Sequence, residues 1–173
     1  MQNDSSHELS SFFEKQLERT NYWLSFAEAK NAALIALNVA MIAFLAELKV
    51  ECSAFKTLLI ALFVISCVIC MRSFSPNTKN RVHTVRTSEG HDNLVFWNDI
   101  ATIEDEQRYI DLVKERYFKE MNFNMEQDKL SYDLASEIII NSRIAKNKYL
   151  LFKIALCVDI CSFVLFIVFL IAA

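Results

Sequence analysis

One glycine and one proline are all that 173 residues contain, so the tight turns and hairpins of a β-rich chain have almost nothing to be built from. Long helices remain. A basic excess is missing too. With a net charge of −3, the chain has no general surface for neutralising a phosphate backbone, and no nucleic-acid partner is expected. Catalytic groups are scarce. His7, His83 and His91 come without a metal-ligand cluster, a phosphate-cradling glycine loop or a nucleophile motif, so no enzyme, no metal and no cofactor is expected. Residues 1–7 are polar and lack the basic start and apolar stretch of a signal peptide, so insertion into a membrane is expected from internal segments.

Apolar residues are what the chain has in excess: 54 % of it is hydrophobic and its mean hydropathy is positive, too apolar for an ordinary soluble protein of this size. Runs at 31–48, 54–71 and 149–173 approach or exceed the roughly 20 residues that cross about 30 Å of hydrocarbon. The first two are joined by 49–53 alone, which predicts a helical hairpin. The expected fold is an all-α membrane protein with three transmembrane helices continuous with a cytoplasmic helical bundle. Its parts are a cytoplasmic N-terminal helix (1–30), the transmembrane hairpin (31–71), a cytoplasmic loop and bundle (72–148) and the third transmembrane helix (149–173). Of the five cysteines, Cys67, Cys70, Cys157 and Cys161 fall in apolar runs and Cys52 does not. They read as small hydrophobes, the redox spacing of Cys67 and Cys70 lacking a βαβ context.

Basic residues set the orientation. Lys15, Arg19 and Lys30 precede the first run, Arg72, Lys79, Arg81 and Arg86 follow the second, and Arg143, Lys146 and Lys148 precede the third. At the hairpin tip Lys49 and Lys56 are balanced by Glu47 and Glu51. The N-terminus and central region are therefore expected in the cytoplasm and the C-terminus outside.

In the cytoplasmic part, Ser5 and Glu8 have capping-box spacing, and Leu9, Phe12, Phe13, Leu17, Trp23 and Leu24 recur at helical spacing into the first run. The stretch 73–92, with Pro76 and Gly90, reads as a loop. Ile100, Ile103, Ile110, Val113 and Tyr117 mark an amphipathic helix, followed by a turn at 121–125. Leu130, Leu134, Ile138, Ala145 and Tyr149 then lead into the third run, and no glycine or proline interrupts 126–173. That segment is predicted as one helix of about 70 Å, half of it in the cytoplasm.

Polar residues inside the runs carry the next signal, because an ionisable group at membrane depth is costly. Asn38 lies near the middle of the first run, and Asp159 about 15 Å of helical rise into the third. Two readings stand. In the preferred one Asn38, Ser66 and Asp159 bond to each other and fasten the helices; in the other Asp159 faces a water path or self-associates between subunits. Lys153 is expected to snorkel to the cytoplasmic surface.

The basic residues at the cytoplasmic mouth are accounted for mostly by topology. A functional reading uses Lys30, Arg72, Arg81 and Arg86, with Asn31, Ser75, Asn93 and Trp97, to receive a small anionic ligand by pairing charge with phosphate and an aromatic face with a base. The ordinary account of the last two is that Asn93 caps the following helix while Phe96 and Trp97 pack it against the bundle.

The order of several short pieces resembles the small transmembrane effectors of Pycsar anti-phage systems. These are Glu28-Ala29-Lys30-Asn31 leading to Asn38, Ser75-Pro76, and Asn93 to Trp97 leading to Ile100, then Asp133-Leu134 followed by Ile138, Ser142, Ile144 and Lys148-Tyr149. The resemblance implies pairing with a pyrimidine cyclase that makes cyclic CMP or cyclic UMP on infection. It implies a messenger-activated effector that impairs the inner membrane and kills the cell by abortive infection. It carries over no ligand-contact residues. Since three helices cannot enclose a wide pore, a homo-oligomer in the lipid bilayer is expected. The rivals are a constitutive membrane scaffold or regulatory subunit that binds a protein partner, and a related effector answering a different nucleotide.

Overall fold

The structure, a computed structural model, describes residues 2–49, 53–75, 93–118 and 129–172. The expected turn at 121–125, most of the loop after Ser75, and the side chain of Ser5 lie outside the described residues. Among the described residues five helices follow one another: α1 (Gln2–Glu47), α2 (Ser53–Arg72), α3 (Trp97–Ile100), α4 (Glu106–Tyr117) and α5 (Lys129–Ala172). There are no strands among the described residues. Three of these helices, α1, α2 and α5, are, among the described residues, long and apolar enough to cross a membrane, and the chain is an all-α membrane protein.

Two compact units divide the chain. One comprises Met1–Ser25 with Asn77–Lys146, the other Phe26–Pro76 with Asn147–Ala173. Both α1 and α5 contribute residues to each unit without a helical break. At 46 and 44 residues they run for roughly 65–70 Å each.

The core of the first unit gathers Leu9 and Phe13 of α1, Leu94, Ile100 and Ile103 of the connecting stretch, Tyr109, Ile110, Leu112 and Val113 of α4, and Ala135, Ile138 and Ile139 of α5. Phe13 meets the ring of Tyr109 edge-on at 5.6 Å, the arrangement that the ring quadrupoles favour. Burial pushes the Tyr109 phenol well above its usual range, and the protonated hydroxyl donates to the Leu94 carbonyl at 2.9 Å.

The amphipathic helix expected from Ile100 to Tyr117 is instead two helices. Asp105, extended at φ −148°, accepts a hydrogen bond from the Arg108 N–H and opens α4 afresh, the standard role of a short acidic side chain before a helix. Ile100 and Ile103 still reach the core although Ile103 lies outside both helices. Tyr117, by contrast, is exposed. Apolar periodicity reports the buried face and is blind to the break.

In the second unit, Leu34, Cys70 and Ala155 pack together, and so do Leu45, Leu59 and Phe63. Its outer faces are apolar, with Val39, Val68, Ile160 and Val168 more than half exposed, as lipid-facing residues should be. At the hairpin tip Lys56 donates to the carbonyls of Ala46 and Leu48 at 2.7 and 3.0 Å. It thereby satisfies acceptors that the last turn of α1 leaves open.

Replacing Phe13 by Ala is expected to destabilise the first unit by about 3–5 kcal/mol. Tyr109→Phe, which leaves the Leu94 carbonyl without its donor, should cost about 1–2 kcal/mol. Unfolding of the protein in nanodiscs, followed by tryptophan fluorescence, measures both, and equal losses from the two would contradict the packing described.

Candidate functional site

Polar side chains in the second unit occur at two levels. At the first, Lys148 of α5 is buried although it carries a charge. Its Nζ donates to Glu28 Oε1 of α1 at 2.9 Å and to the carbonyl of Ser73, just past α2, at 2.8 Å. The Phe74 ring lies 5.6 Å from the same ammonium. One cation thus ties three segments, and a buried charge is tolerable because it is paired and hydrogen-bonded. Asn31, fully buried, donates to the carbonyls of Ala27 and Lys148. Its position three residues after Glu28 puts both on one face of α1.

The second level lies further into the apolar stretches. Asn38 of α1 donates to the Ser66 hydroxyl of α2 at 2.9 Å, and Ser66 donates to the Ala155 carbonyl of α5 at 3.3 Å. Asp159 follows one turn after Ala155. It is 1 % exposed, and neither carboxylate oxygen has a hydrogen-bond partner. Asn38 and Ser66 are the polar side chains facing it from α1 and α2, and Cys67 and Cys70 lie in its electrostatic range. Asn38 and Ser66 are joined, therefore, and both lie within interaction range of the buried Asp159 carboxylate.

The residues read from sequence as an anionic-ligand set meet different fates. Lys30 lies over the rings of Phe26, Tyr149 and Phe152 at 4.7, 5.5 and 5.5 Å, and Asn31 is committed to backbone carbonyls. Arg72 ends α2 and is exposed, as is Ser75. Arg81 and Arg86 lie outside the described residues. Asn93 does not cap α3: its Oδ1 accepts from the Val95 N–H, closing a local turn, while Phe96 holds the cap position without a side-chain bond. An Asx turn competes with capping for the same oxygen.

The aromatic pair and its neighbour Leu94 differ in burial. Phe96 is exposed, Trp97 half-buried against its ring, and Leu94 is the fully buried residue. The stretch is held by Gln16 donating to the Val95 carbonyl at 2.8 Å, besides the Tyr109 bond to Leu94.

Of the other basic residues, Arg143 donates to the carbonyls of Ala101, Ile103 and Glu104, and Lys153 is exposed. Sequence reasoning treated Lys148 as one of many topology-setting charges. The signal that could have singled it out is the occurrence of an acid, Glu28, and a base, Lys148, each just before an apolar run. Among the described residues no group of His, Cys, Asp or Glu could hold a metal ion.

A family model described as the Pycsar effector protein domain matches residues 12–173. The match takes in all of α2 to α5 and most of α1. No curated protein and no solved structure matches the chain.

Removing the Lys148 ammonium (Lys148→Met) leaves the Ser73 carbonyl without its donor and is expected to cost about 2–3 kcal/mol. Glu28→Gln, at a half-exposed carboxylate, should cost less than about 1 kcal/mol. Thermal unfolding in nanodiscs ranks the pair, and equal losses would show the ion pair, not the carbonyl bond, to be the main tie.

Proposed function

The chain belongs to the Pycsar effector family and so serves anti-phage defence; from that premise we propose that it is activated by a cyclic pyrimidine mononucleotide and then impairs the bacterial inner membrane. Cyclic CMP or cyclic UMP, supplied by a companion pyrimidine cyclase on infection, is the trigger. Cell death before phage mature is the outcome. α1, α2 and α5 cross the bilayer, with the N-terminus and the 72–148 region on the cytoplasmic side and the C-terminus in the periplasm. Several subunits assemble, since three helices alone cannot surround a wide aqueous path.

The observation that supports this reading best is the passage of α1 and α5, unbroken, from a unit with a mixed polar surface into one whose outer faces are apolar. A ligand acts on such a protein only through different affinities for its two states. The basic residues that follow the second apolar run in the sequence, Arg72, Arg81 and Arg86, supply charge for the messenger's phosphate. No catalytic step is assigned to any residue.

Liposomes carrying the full chain and an entrapped dye should release it on addition of cyclic CMP or cyclic UMP, but not of linear CMP or UMP. Joint replacement of Arg72, Arg81 and Arg86 by Ala is expected to raise the half-maximal messenger concentration at least about tenfold, as the loss of charge-assisted phosphate contacts implies. Silence toward both cyclic nucleotides would sink the activation reading and favour a constitutive scaffold. A response confined to a cyclic oligonucleotide would reassign the trigger.

A further inference from the structure

We propose that Lys30 anchors the headgroup of an anionic phospholipid at the end of the second unit where Glu28 and Lys148 meet. Lys30 is half-buried. Its ammonium lies over the rings of Phe26 on α1 and of Tyr149 and Phe152 on α5, at 4.7, 5.5 and 5.5 Å. Ring faces attract the cation and fix its position, but they carry no charge to neutralise it. Among the described residues no carboxylate pairs with Lys30 and no carbonyl accepts from it, although an ammonium has three donors.

The acids of the same unit are engaged or out of reach. Glu28 bonds to Lys148 and stands two positions before Lys30, on a different face of α1. Glu47 closes α1 at its other end, about 25 Å of helical rise away, and Glu51 comes later still in the sequence. Asp159 lies about 15 Å of rise beyond Tyr149. The surroundings of Lys30 select the anion. One and two turns further along α1 come the exposed Ala33 and Leu37, and Leu150 and Ile154 are exposed on α5. A phosphate held at Lys30 lays its acyl chains along that apolar surface, which a free phosphate ion leaves uncovered. A zwitterionic headgroup brings its own ammonium to its phosphate, whereas a net-anionic one needs a cation from the protein. Lys153, exposed and four positions after Tyr149 on the same face of α5, adds positive charge beside the rings.

The site requires only that α1 and α5 cross the bilayer, and does not depend on the trigger proposed above. A lipid bound there favours the arrangement of the two helices in which Lys30 of α1 reaches the rings of α5, since a ligand stabilises the state that it binds.

The test uses the full chain in phosphatidylcholine nanodiscs in which phosphatidylglycerol of the same acyl chains replaces a rising fraction, at fixed pH and ionic strength. Wild type is expected to melt about 2–4 °C higher with phosphatidylglycerol, saturating at a low fraction, as linkage to one bound lipid requires. Lys30→Gln should lose that rise and Lys30→Arg keep it. Lys49→Gln, at an exposed lysine beyond the other end of α1, should keep it too. Should Lys30→Gln fail to fold, native mass spectrometry of wild type from an equimolar mixture of the two lipids reads the site without a variant. Phosphatidylglycerol should be retained about fivefold over phosphatidylcholine, the preference that one lysine gives near an anionic surface. Equal retention, a rise that does not saturate, or an equal loss in Lys30→Gln and Lys49→Gln overturns the proposal in favour of general surface charge. A rise produced in pure phosphatidylcholine by inorganic phosphate, cyclic CMP or cyclic UMP, and abolished by Lys30→Gln, assigns the lysine to a soluble anion and overturns it as well.

Discussion

Hydrocarbon offers no hydrogen bonds, so a polar side chain among the apolar helices is stabilised by facing the inside of its unit. That constraint accounts for where the polar residues of the second unit lie. Asn31, Asn38, Ser66, Lys148, Asp159 and Ser162 are all buried, while valines and isoleucines fill the outer faces. Small gains accrue per bond, but each bond also fixes which face of α1, α2 and α5 turns inward. Because Lys148 reaches Glu28 on one side and the Ser73 carbonyl on the other, it sets the rotation of α5 and the end of α2 together. Rotation of any of the three would strand a polar group.

The first unit obeys the opposite rule. It is built around aromatic and aliphatic residues, and its backbone polar groups are closed by individual side chains: Gln16 to Val95, Tyr109 to Leu94, and Arg143 to the carbonyls of 101, 103 and 104. Such contacts hold the short, poorly helical stretch between Asn93 and Asp105 in place where helix propensity would not. α3 is only four residues long, too short to be stable without its surroundings.

Much of this was legible in the chain. With one glycine and one proline available, only long helices were open to it, and the apolar runs located α2 and the apolar parts of α1 and α5. The core positions Leu9, Phe13, Ile110, Val113 and Ile138 could be read from helical spacing. What escaped is chemistry between residues distant in sequence. Glu28 and Lys148 are 120 positions apart, and no local pattern announces their pairing. Asp105 was hidden for another reason: one capping carboxylate overrides an apolar periodicity that continues across it. Asn93 is the converse case, a good capping residue by type whose oxygen is taken by a nearer N–H.

These two kinds of hidden interaction bear on how such a protein can change state. A ligand shifts an equilibrium only by its differential affinity, and a few kcal/mol move a population from one side to the other. Contacts of that size are the individual side-chain bonds, each worth about 1–3 kcal/mol where a charged group is involved, and not the packed cores. Lys148 and Arg143 lie five residues apart on one continuous helix, the first closing the second unit and the second closing the first. α5 therefore carries, within less than two turns, one polar tie of each unit.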